Sequence, residues 1–368
     1  MTLLDSGSPR ASASTSSEER PWEPATARSG PRIAGLAVAE AGTSYTQAEV
    51  LERLGLAGDE FAERIFSRAG IERRHLNLDP DYLARNTQGR SQQVEDELLA
   101  ASVEAIDKLG IDPLSIGTVL SASLYSYGCP TLAHRLIENY EMPLTIDKYH
   151  LVGVGCASAV PLMRLASQAL QSHPGRDVLV VAAESMSSIL MPARADDPRA
   201  KTVGSAIFGD GCGVALLSGD RAAQGPAIVA SQVHHIPGTH EAVNLRATND
   251  DSYLHLAREL PDLAATGLET LVESFLAANH LDISRIAHWI VHPGGRRIVE
   301  SIRDALSLGD EDVAVSWQAL ADHGNVGTPS IFYVLRDTID ECEPAAGEYG
   351  LAITVGPGVT VGLMLLRF

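Results

Sequence analysis

Short β-rich runs alternate with amphipathic helical stretches from residue 31 to the end of the chain. Strands are predicted at GTVLSAS (117–123), DVLVVAAES (177–185) and IAHWIVH (286–292), because each run is short and apolar and is rich in β-branched residues. Helices are predicted at VEDELLAASVEAIDKLG (94–110) and CASAVPLMRLASQALQS (156–172), where apolar residues recur at helical spacing. This alternation is typical of a layered α/β fold.

The order of these elements divides the chain into three parts. Residues 1–31 are rich in Ser, Pro and charge and contain few apolar side chains, so a disordered tail is expected there. Residues 32–222 and 223–368 run through strands and helices in a similar order, which predicts two similar halves. The second half closes with LAITVGPGVTVGLMLLRF (351–368), whose GPG predicts a tight turn between two strands.

Composition argues against several classes of protein. The chain has 368 residues and a formal net charge of −19, which is unfavourable for a general nucleic-acid binder. No uninterrupted apolar run approaches the about 18 residues that a membrane span needs. The cysteines at 129, 156, 212 and 342 lack disulfide or metal-site spacing, and the N-terminus lacks the pattern of a secretory signal. We therefore expect a cytoplasmic protein with reduced thiols and no metal site.

One cysteine lies where a catalytic nucleophile is expected. In GVGCASA, Cys156 follows a strand-like run and begins a helical pattern, while Gly153 and Gly155 allow a sharp turn and the close approach of a substrate. The unpaired N–H groups and the dipole at a helix start favour a thiolate. The pattern predicts a nucleophile, and a small buried core residue is the alternative interpretation.

Two later stretches supply the polar partners that a cysteine nucleophile needs. His292 ends a predicted strand before a Pro-Gly-Gly turn, and Asn325 lies in a glycine-flanked loop before a predicted helix. The ends of strands and helices are where α/β folds tend to place functional groups. Each residue alone is also explained as a structural histidine or a turn asparagine, so the prediction depends on all three together.

Five motifs recur in the order and spacing of a known family: GCASA (155–159), FGDG (208–211), WIVHPGG (289–295), HGN (323–325) and GPGVT (356–360). In these motifs the chain resembles, from about residue 33 to its end, the type III polyketide synthases, the chalcone-synthase-like branch of the thiolase superfamily. The resemblance implies a five-layered αβαβα fold built from two similar halves, and a homodimer. It also implies catalytic roles for Cys156, His292 and Asn325.

The resemblance further implies a decarboxylative Claisen condensation. The Cys156 thiolate attacks a starter thioester, and His292 and Asn325 donate hydrogen bonds to the thioester oxygen and to the enolate that forms when malonyl-CoA loses CO2. That enolate then attacks the Cys-bound acyl group. Phe208 is implied as one of two gatekeepers, with an apolar surface that disfavours the malonyl carboxylate. CoA thioesters are the implied substrates, and no cofactor is expected.

The resemblance also implies substrate-binding roles for further residues, from their positions in the sequence. Arg64 and Arg68, one helical turn apart, are implied to contact the CoA phosphates. Arg297, which follows the Gly-Gly pair, is expected to add to the rim of this CoA site, and a solvated surface arginine is the alternative interpretation. The second gatekeeper of the family is a phenylalanine, and the resemblance implies that Leu254 replaces it in this chain. The remaining implied wall positions are Met186, Ser188, Ile189 and Thr360. After Asn325 the chain reads VGTPS, with Pro329 where the family has small residues, so this loop is expected to differ in geometry.

Within the family, four stretches resemble the 3,5-dihydroxyphenylacetyl-CoA synthases of glycopeptide-antibiotic pathways, which use malonyl-CoA as starter and extender. They are GTSYTQAEVLERLGL (42–56), AGIERRHLNL (69–78), HWIVHPGGRRIVESI (288–302) and EYGLAITVGPGVTV (348–361). One alternative is a type III synthase that uses another acyl-CoA starter and makes an alkylresorcinol, a pyrone or a tetrahydroxynaphthalene. Further alternatives are a β-ketoacyl synthase III-like acyltransferase, a cysteine protease and a non-enzymatic binding protein on the same fold.

Overall fold

The structure, a computed structural model, describes residues 30–126, 128–173, 175–194, 197–220, 222–247 and 251–368. The predicted disordered tail (1–31) lies outside the described residues except for Gly30 and Pro31. The backbone N–H of Ile228 donates to the carbonyl oxygen of Pro31 at 2.9 Å, which ties this end of the described chain to a strand. In the described ranges, each helix is too short or too polar to cross a lipid bilayer.

The chain forms strands, α-helices and short 3-10 turns, which are numbered here in chain order. The strands are β1 (Arg32–Glu40), β2 (Thr43–Thr46), β3 (Arg73–Leu76), β4 (Ile116–Ser123), β5 (Asp147–Val152), β6 (Asp177–Glu184), β7 (Gly211–Ser218), β8 (Ala227–His235), β9 (Val243–Ala247), β10 (Ser252–Leu256), β11 (Ile286–Val291), β12 (Tyr349–Gly356) and β13 (Thr360–Arg367). The α-helices are α1 (Gln47–Arg53), α2 (Glu60–Arg68), α3 (Pro80–Leu83), α4 (Thr87–Leu109), α5 (Leu132–Asn139), α6 (Ala159–Ser172), α7 (Arg199–Ile207), α8 (Leu260–Ala265), α9 (Leu268–Ala278), α10 (Arg296–Ala305), α11 (Ala314–His323) and α12 (Ser330–Cys342). The 3-10 turns are Pro113–Ser115, Gly155–Ser158, Met186–Ile189, Ile283–Arg285 and Glu311–Val313.

One nine-stranded sheet organises the molecule, in the order β11-β12-β13-β8-β1-β7-β6-β4-β5. Its two sides repeat one pairing pattern. β4 and β6 are parallel, and β7 and β1 follow in antiparallel pairing; β11 and β12 are parallel, and β13 and β8 follow in antiparallel pairing. Two similar halves are therefore present in the topology. The predicted boundary between residues 222 and 223 falls between β7 and β8 and stays a prediction.

Alternating strand residues divide the core into layers, because successive side chains of a strand point to opposite faces. In β6, Leu179 packs with α4 and α5, whereas Val180 packs with α6 and α12. In β12, Ala352 packs with the same α6 and α12, whereas Ile353 packs with α9 and α10. The first layer is therefore α4 and α5, and the second is the half of the sheet that contains β6. The central layer is α6 and α12, followed by the half of the sheet that contains β12 and by α9 and α10. This is the expected αβαβα arrangement.

This arrangement brings three chain segments to one place. β5 ends just before Cys156, β11 ends just before His292, and α11 ends just before Asn325. The nucleophile comes from the first half of the chain, and the two polar partners come from the second. The predicted strands at 117–123, 177–185 and 286–292 are β4, β6 and β11, each matching to within one residue at either end.

Candidate active site

Cys156 lies in the 3-10 turn Gly155–Ser158, between β5 and α6, so the predicted strand-to-helix junction is confirmed. Gly155 has a φ of +63°, which favours glycine, and a Cβ there would lie 2.9 Å from Cδ of Pro357. A Cβ on Gly356 would lie 2.5 Å from the backbone N of Ala157. The nucleophile turn and the β12–β13 turn are therefore in direct contact, which fixes the position of the thiol.

His292 follows β11, and its backbone N–H donates to the carbonyl oxygen of Ile353 at 2.8 Å. The residue is 1% exposed, and neither ring nitrogen has a hydrogen-bond partner among the described residues. Burial lowers the pKa of the imidazole to about 4, so the ring is neutral at neutral pH. A neutral imidazole accepts a proton at one nitrogen and donates a hydrogen bond from the other.

Asn325 is oriented by both ends of its amide. Its Oδ1 accepts from the backbone N–H of Gly327 at 2.8 Å, and its Nδ2 donates to the carbonyl oxygen of Gly294 at 3.0 Å. Gly294 belongs to the turn that follows His292, so this hydrogen bond ties the two polar residues together. Oδ1 also lies 3.9 Å from Sγ of Cys156. Because Nδ2 carries a second hydrogen, Asn325 retains one donor for a ligand.

The electrostatics of the thiol differ from the sequence-based expectation. Burial raises the pKa of Cys156 to about 12, and the carboxyl of Glu184 raises it further, whereas the hydrogen bond to Asn325 lowers it. The expectation that the helix start favours a thiolate is wrong for the ligand-free site, because desolvation of the sulfur at the cavity wall disfavours its ionised form. Forming the thiolate requires a base, and the neutral His292 lines the same cavity.

Glu184, the last residue of β6, is a buried carboxyl in this cavity that sequence reasoning missed. Its Oε2 accepts from the backbone N–H of Leu124 at 2.8 Å and from the hydroxyl of Ser123 at 3.2 Å, and its Oε1 lies 3.3 Å from the hydroxyl oxygen of Thr328. Burial raises its pKa to about 8 in spite of these hydrogen bonds. The available signal was a carboxylate at the end of an apolar predicted strand.

A cavity of about 670 Å³ joins most of the predicted site residues. Those that line it are Arg64, Arg68, Cys156, Met186, Phe208, Leu254, His292, Arg297 and Asn325. Ser188, Ile189 and Thr360 do not reach the cavity wall, contrary to expectation. Ser188 and Ile189 are buried in the same 3-10 turn as Met186, and Thr360 begins β13. The roles assigned to all these residues stay predictions.

Phe208 is held against the Asn325 loop by the backbone. The N–H of Asn325 donates to the carbonyl oxygen of Ile207 at 2.8 Å, and the N–H of Gly209 donates to the carbonyl oxygen of Asn325 at 3.0 Å. On its other side, the buried Arg74 donates from Nη1 to the carbonyl oxygen of Phe208 at 2.7 Å. The phenyl ring and the Asn325 amide are therefore positioned as one unit.

Five exposed arginines lie along the cavity. Arg64 and Arg68 project from α2, and Arg297 lies in the first turn of α10, as expected. Arg258 and Arg296 also line it, and sequence reasoning did not select them. Such a concentration of guanidinium groups on a chain of net charge −19 makes the cavity a local anion site.

The loop after Asn325 differs from the family pattern in a definable way. Thr328 donates its hydroxyl to the carbonyl oxygen of Gly155 at 2.9 Å, beside the nucleophile. Gly327 has a φ of +69°, and Pro329 occupies the N-cap of α12. The VGTPS sequence therefore connects the Asn325 loop directly to the Cys156 turn.

Two family models match this chain. The model of the FAE1/Type III polyketide synthase-like protein matches residues 38–288, and that of the chalcone and stilbene synthases, C-terminal domain, matches residues 227–368. The first alone spans more than half of the chain. The chain belongs to the type III polyketide synthases. The resemblance drawn from the motifs is thereby confirmed, and the enzyme is a polyketide synthase of the acyltransferase class.

Several characterised members of the family are similar to this type III polyketide synthase. The 3,5-dihydroxyphenylacetyl-CoA synthase of Streptomyces toyocaensis is 28% identical, with 92% of this chain and 90% of the relative aligned. The 1,3,6,8-tetrahydroxynaphthalene synthase of Streptomyces peucetius is also 28% identical, with 83% of each chain aligned. The crystal structure of PKS-I from the brown alga Ectocarpus siliculosus superimposes with a TM-score of 0.84 at 26% identity, covering 92% of this chain and 98% of that one.

Proposed function

We propose that this synthase extends a Cys156-bound acyl group with malonyl-CoA units and cyclises the product to a small aromatic compound. One observation carries the proposal: Cys156, His292 and Asn325 line a single cavity that also carries arginines suited to CoA phosphates. A thiol, a neutral imidazole and an amide donor are the groups that acyl transfer and enolate stabilisation require.

In the loading step, His292 removes the proton of Cys156, and the sulfur attacks the thioester carbonyl of the starter. The carbon–sulfur bond to CoA breaks, and CoA leaves as a thiol after it takes up the proton. The free N–H of Asn325 stabilises the negative oxygen of the tetrahedral intermediate. The pKa values near 12 and 4 describe the ligand-free pair, in which both groups are neutral.

In the extension step, malonyl-CoA loses CO2, and the electron pair of the broken carbon–carbon bond becomes the enolate of acetyl-CoA. His292 and Asn325 donate hydrogen bonds to the enolate oxygen. The enolate carbon then attacks the acyl carbonyl on Cys156, so the carbon–sulfur bond breaks and the thiolate is regenerated. Phe208, 1% exposed, presents an apolar surface that favours neutral CO2 over the malonyl carboxylate.

We propose 3,5-dihydroxyphenylacetyl-CoA, or a related small aromatic built from malonyl units alone, as the product. The relatives from Streptomyces toyocaensis and Amycolatopsis balhimycina, named for that product, support it through alignments over 92% of this chain. Apolar side chains such as Leu124, Met186, Val243 and Val355 line the cavity and offer a growing polyketide a nonpolar surface. The second candidate is 1,3,6,8-tetrahydroxynaphthalene, the product for which another relative is named.

The test supplies the purified enzyme with malonyl-CoA alone, in buffer without any cofactor, and identifies the products by mass spectrometry. The proposal expects CO2 release and 3,5-dihydroxyphenylacetic acid or its CoA thioester. Tetrahydroxynaphthalene would select the second candidate, and strict dependence on an added fatty or aromatic acyl-CoA would overturn the all-malonyl route. The absence of condensation products with any acyl-CoA would overturn the proposed activity itself.

We propose that the enzyme works in the cytoplasm as a homodimer joined at β5. β5 is the edge strand of the nine-stranded sheet, so one side of its backbone has no partner strand within the described sheet. Tyr149 and Val152 are 55% and 38% exposed on it. An exposed apolar edge strand is a pairing surface for a second chain. Free thiols at all four cysteines support a reducing compartment.

A further inference from the structure

Glu40, His75 and His323 meet behind the Asn325 loop, and none of them lines the cavity. Glu40 ends β1, His75 lies in β3 and His323 ends α11, so three separate elements converge. One carboxylate oxygen and one ring nitrogen from each histidine lie within 4.8 Å of one another. No spacing motif in the sequence marks this set, because its members are far apart along the chain.

The separations fit metal ligation. Nε2 of His75 lies 3.1 Å from Oε2 of Glu40, and Nδ1 of His323 lies 3.2 Å from Oε1 of the same carboxylate. Zinc binds imidazole nitrogen and carboxylate oxygen at about 2.0–2.2 Å, so neighbouring ligands of a tetrahedral site stand about 3.3 Å apart. The two histidines are mostly buried, and the Glu40 side chain is 45% exposed. An ion could therefore enter from solvent and keep a water ligand.

The ligand side chains are also held in place. The ring of His323 packs against Tyr333 with centroids 4.6 Å apart, and the Tyr333 hydroxyl donates to the carbonyl oxygen of Ala39, next to Glu40, at 2.7 Å. The carbonyl oxygen of His75 accepts from the backbone N–H of Asp210 at 2.8 Å. Histidine ligands whose backbones and rings are fixed lose less freedom when an ion binds.

We propose that Glu40, His75 and His323 bind a divalent transition-metal ion of the zinc class. The ion would take no part in the condensation. His323 stands two positions before Asn325, and the carbonyl oxygen of His75 holds the FGDG turn that carries Phe208. Binding would therefore fasten the two segments that position the Asn325 amide and the phenyl ring, and would stabilise the folded chain.

The test uses cobalt(II) as a spectroscopic probe for the zinc class, in a background that combines Cys129→Ala, Cys156→Ala and Cys342→Ala and so removes the accessible thiols as competing ligands. Chelator-treated protein is titrated with cobalt(II), and the visible d–d absorption, the stoichiometry and the melting temperature are measured. Glu40→Gln and His323→Gln each remove one ligand. His288→Gln is the matched control, because His288 Nε2 pairs with Glu348 at 2.8 Å in a histidine–glutamate contact elsewhere.

One cobalt ion per chain, a d–d spectrum without thiolate character and a metal-dependent rise in melting temperature are expected. Glu40→Gln and His323→Gln should each weaken binding at least about 100-fold, and His288→Gln should leave it unchanged. If His323→Gln fails to fold, the isosteric Glu40→Gln decides. Absence of the spectrum, a spectrum that persists in Glu40→Gln, or one with thiolate charge-transfer bands would overturn the proposal and leave a hydrogen-bonded cluster.

Discussion

Asn325 and Cys156 serve different steps of the proposed reaction, and this separates their variants. Decarboxylation of malonyl-CoA needs the Asn325 N–H but not the thiol, whereas condensation needs both. Asn325→Ala is predicted to lower CO2 release about 10²–10³-fold, the usual effect of losing one donor to a developing oxyanion. Cys156→Ala is predicted to retain CO2 release and to lose all condensation products.

Both rates are measured on one sample, from labelled CO2 and from product mass spectra. If Cys156→Ala lost CO2 release to the same extent as Asn325→Ala, this division of roles would be contradicted. Circular dichroism checks that Asn325→Ala is folded, because that variant also loses the hydrogen bond from the backbone N–H of Gly327.

Glu184 predicts a pH dependence of stability. Burial raises its pKa to about 8 from an ordinary 4.5, so between these values the unfolded chain releases a proton that the folded chain keeps. The free energy of unfolding therefore falls as pH rises through this window, by about 1 kcal/mol per pH unit for this group. Glu184→Gln cannot ionise, so its free energy of unfolding relative to that of the parent should rise steadily between pH 5 and pH 8.

Urea unfolding of both proteins at several pH values measures this difference. Glu269→Gln, at an exposed glutamate of α9, is the control and should run parallel to the parent. If the plots of unfolding free energy against pH for Glu184→Gln and the parent also run parallel, the Glu184 carboxyl is ionised in the folded protein throughout this window. Its pKa is then not raised by burial.

At the scale of elements, contact between the nucleophile turn and the β12–β13 turn sets the position of the thiol. Gly153 and Gly155 have φ values of +79° and +63°, but a Cβ at Gly153 meets no atom within 4 Å, whereas one at Gly155 meets Pro357. Gly153→Ala should lose about 1 kcal/mol through backbone strain and retain activity. Gly155→Ala should lose more stability and at least about 10-fold in kcat, because small displacements of a reacting atom are costly.

Melting curves and kcat for the two alanine variants make the comparison. Equal effects of the two substitutions would show that the Pro357 contact does not position the thiol.

Much of the layout was predictable from local patterns. β4, β6 and β11 are short apolar runs that the pattern predicts, and Cys156, His292 and Asn325 directly follow β5, β11 and α11, at element ends where α/β folds tend to place functional groups. The pKa of Cys156 was not predictable in this way. It depends on enclosure by residues distant in sequence, which a helix-start argument ignores.

The cavity wall was less predictable than the catalytic residues. Met186 and Ser188 are buried in one 3-10 turn, but only Met186 of the two lines the cavity, and the pattern of apolar residues does not predict this difference. Glu184 was missed because a carboxylate at a strand end is usually solvated. Only the tertiary structure encloses it beneath Leu124 and Thr328.

At the scale of the whole molecule, the site forms where the two halves of the sheet share their central helical layer. β5 leads directly to the Cys156 turn, so a dimer joined at β5 would also brace the nucleophile. Tyr149→Glu combined with Val152→Glu places charges on this edge and is predicted to shift the protein to monomers with reduced activity.

Light scattering after gel filtration measures the mass of each species. Val229→Glu, at a valine 41% exposed on β8, is the control and should keep the parent's oligomeric state. A dimer that survives the paired β5 substitutions would place the interface elsewhere.

A single thiol, that of Cys156, is proposed to carry the growing chain, and peptide mass spectrometry of enzyme quenched during turnover detects the acyl group on it. After brief exposure to malonyl-CoA, an acyl adduct is predicted on the peptide containing Cys156, with none on the peptides containing Cys129, Cys212 or Cys342. Product formation without any adduct at residue 156, or an adduct at another cysteine that persists in Cys156→Ala, would contradict it.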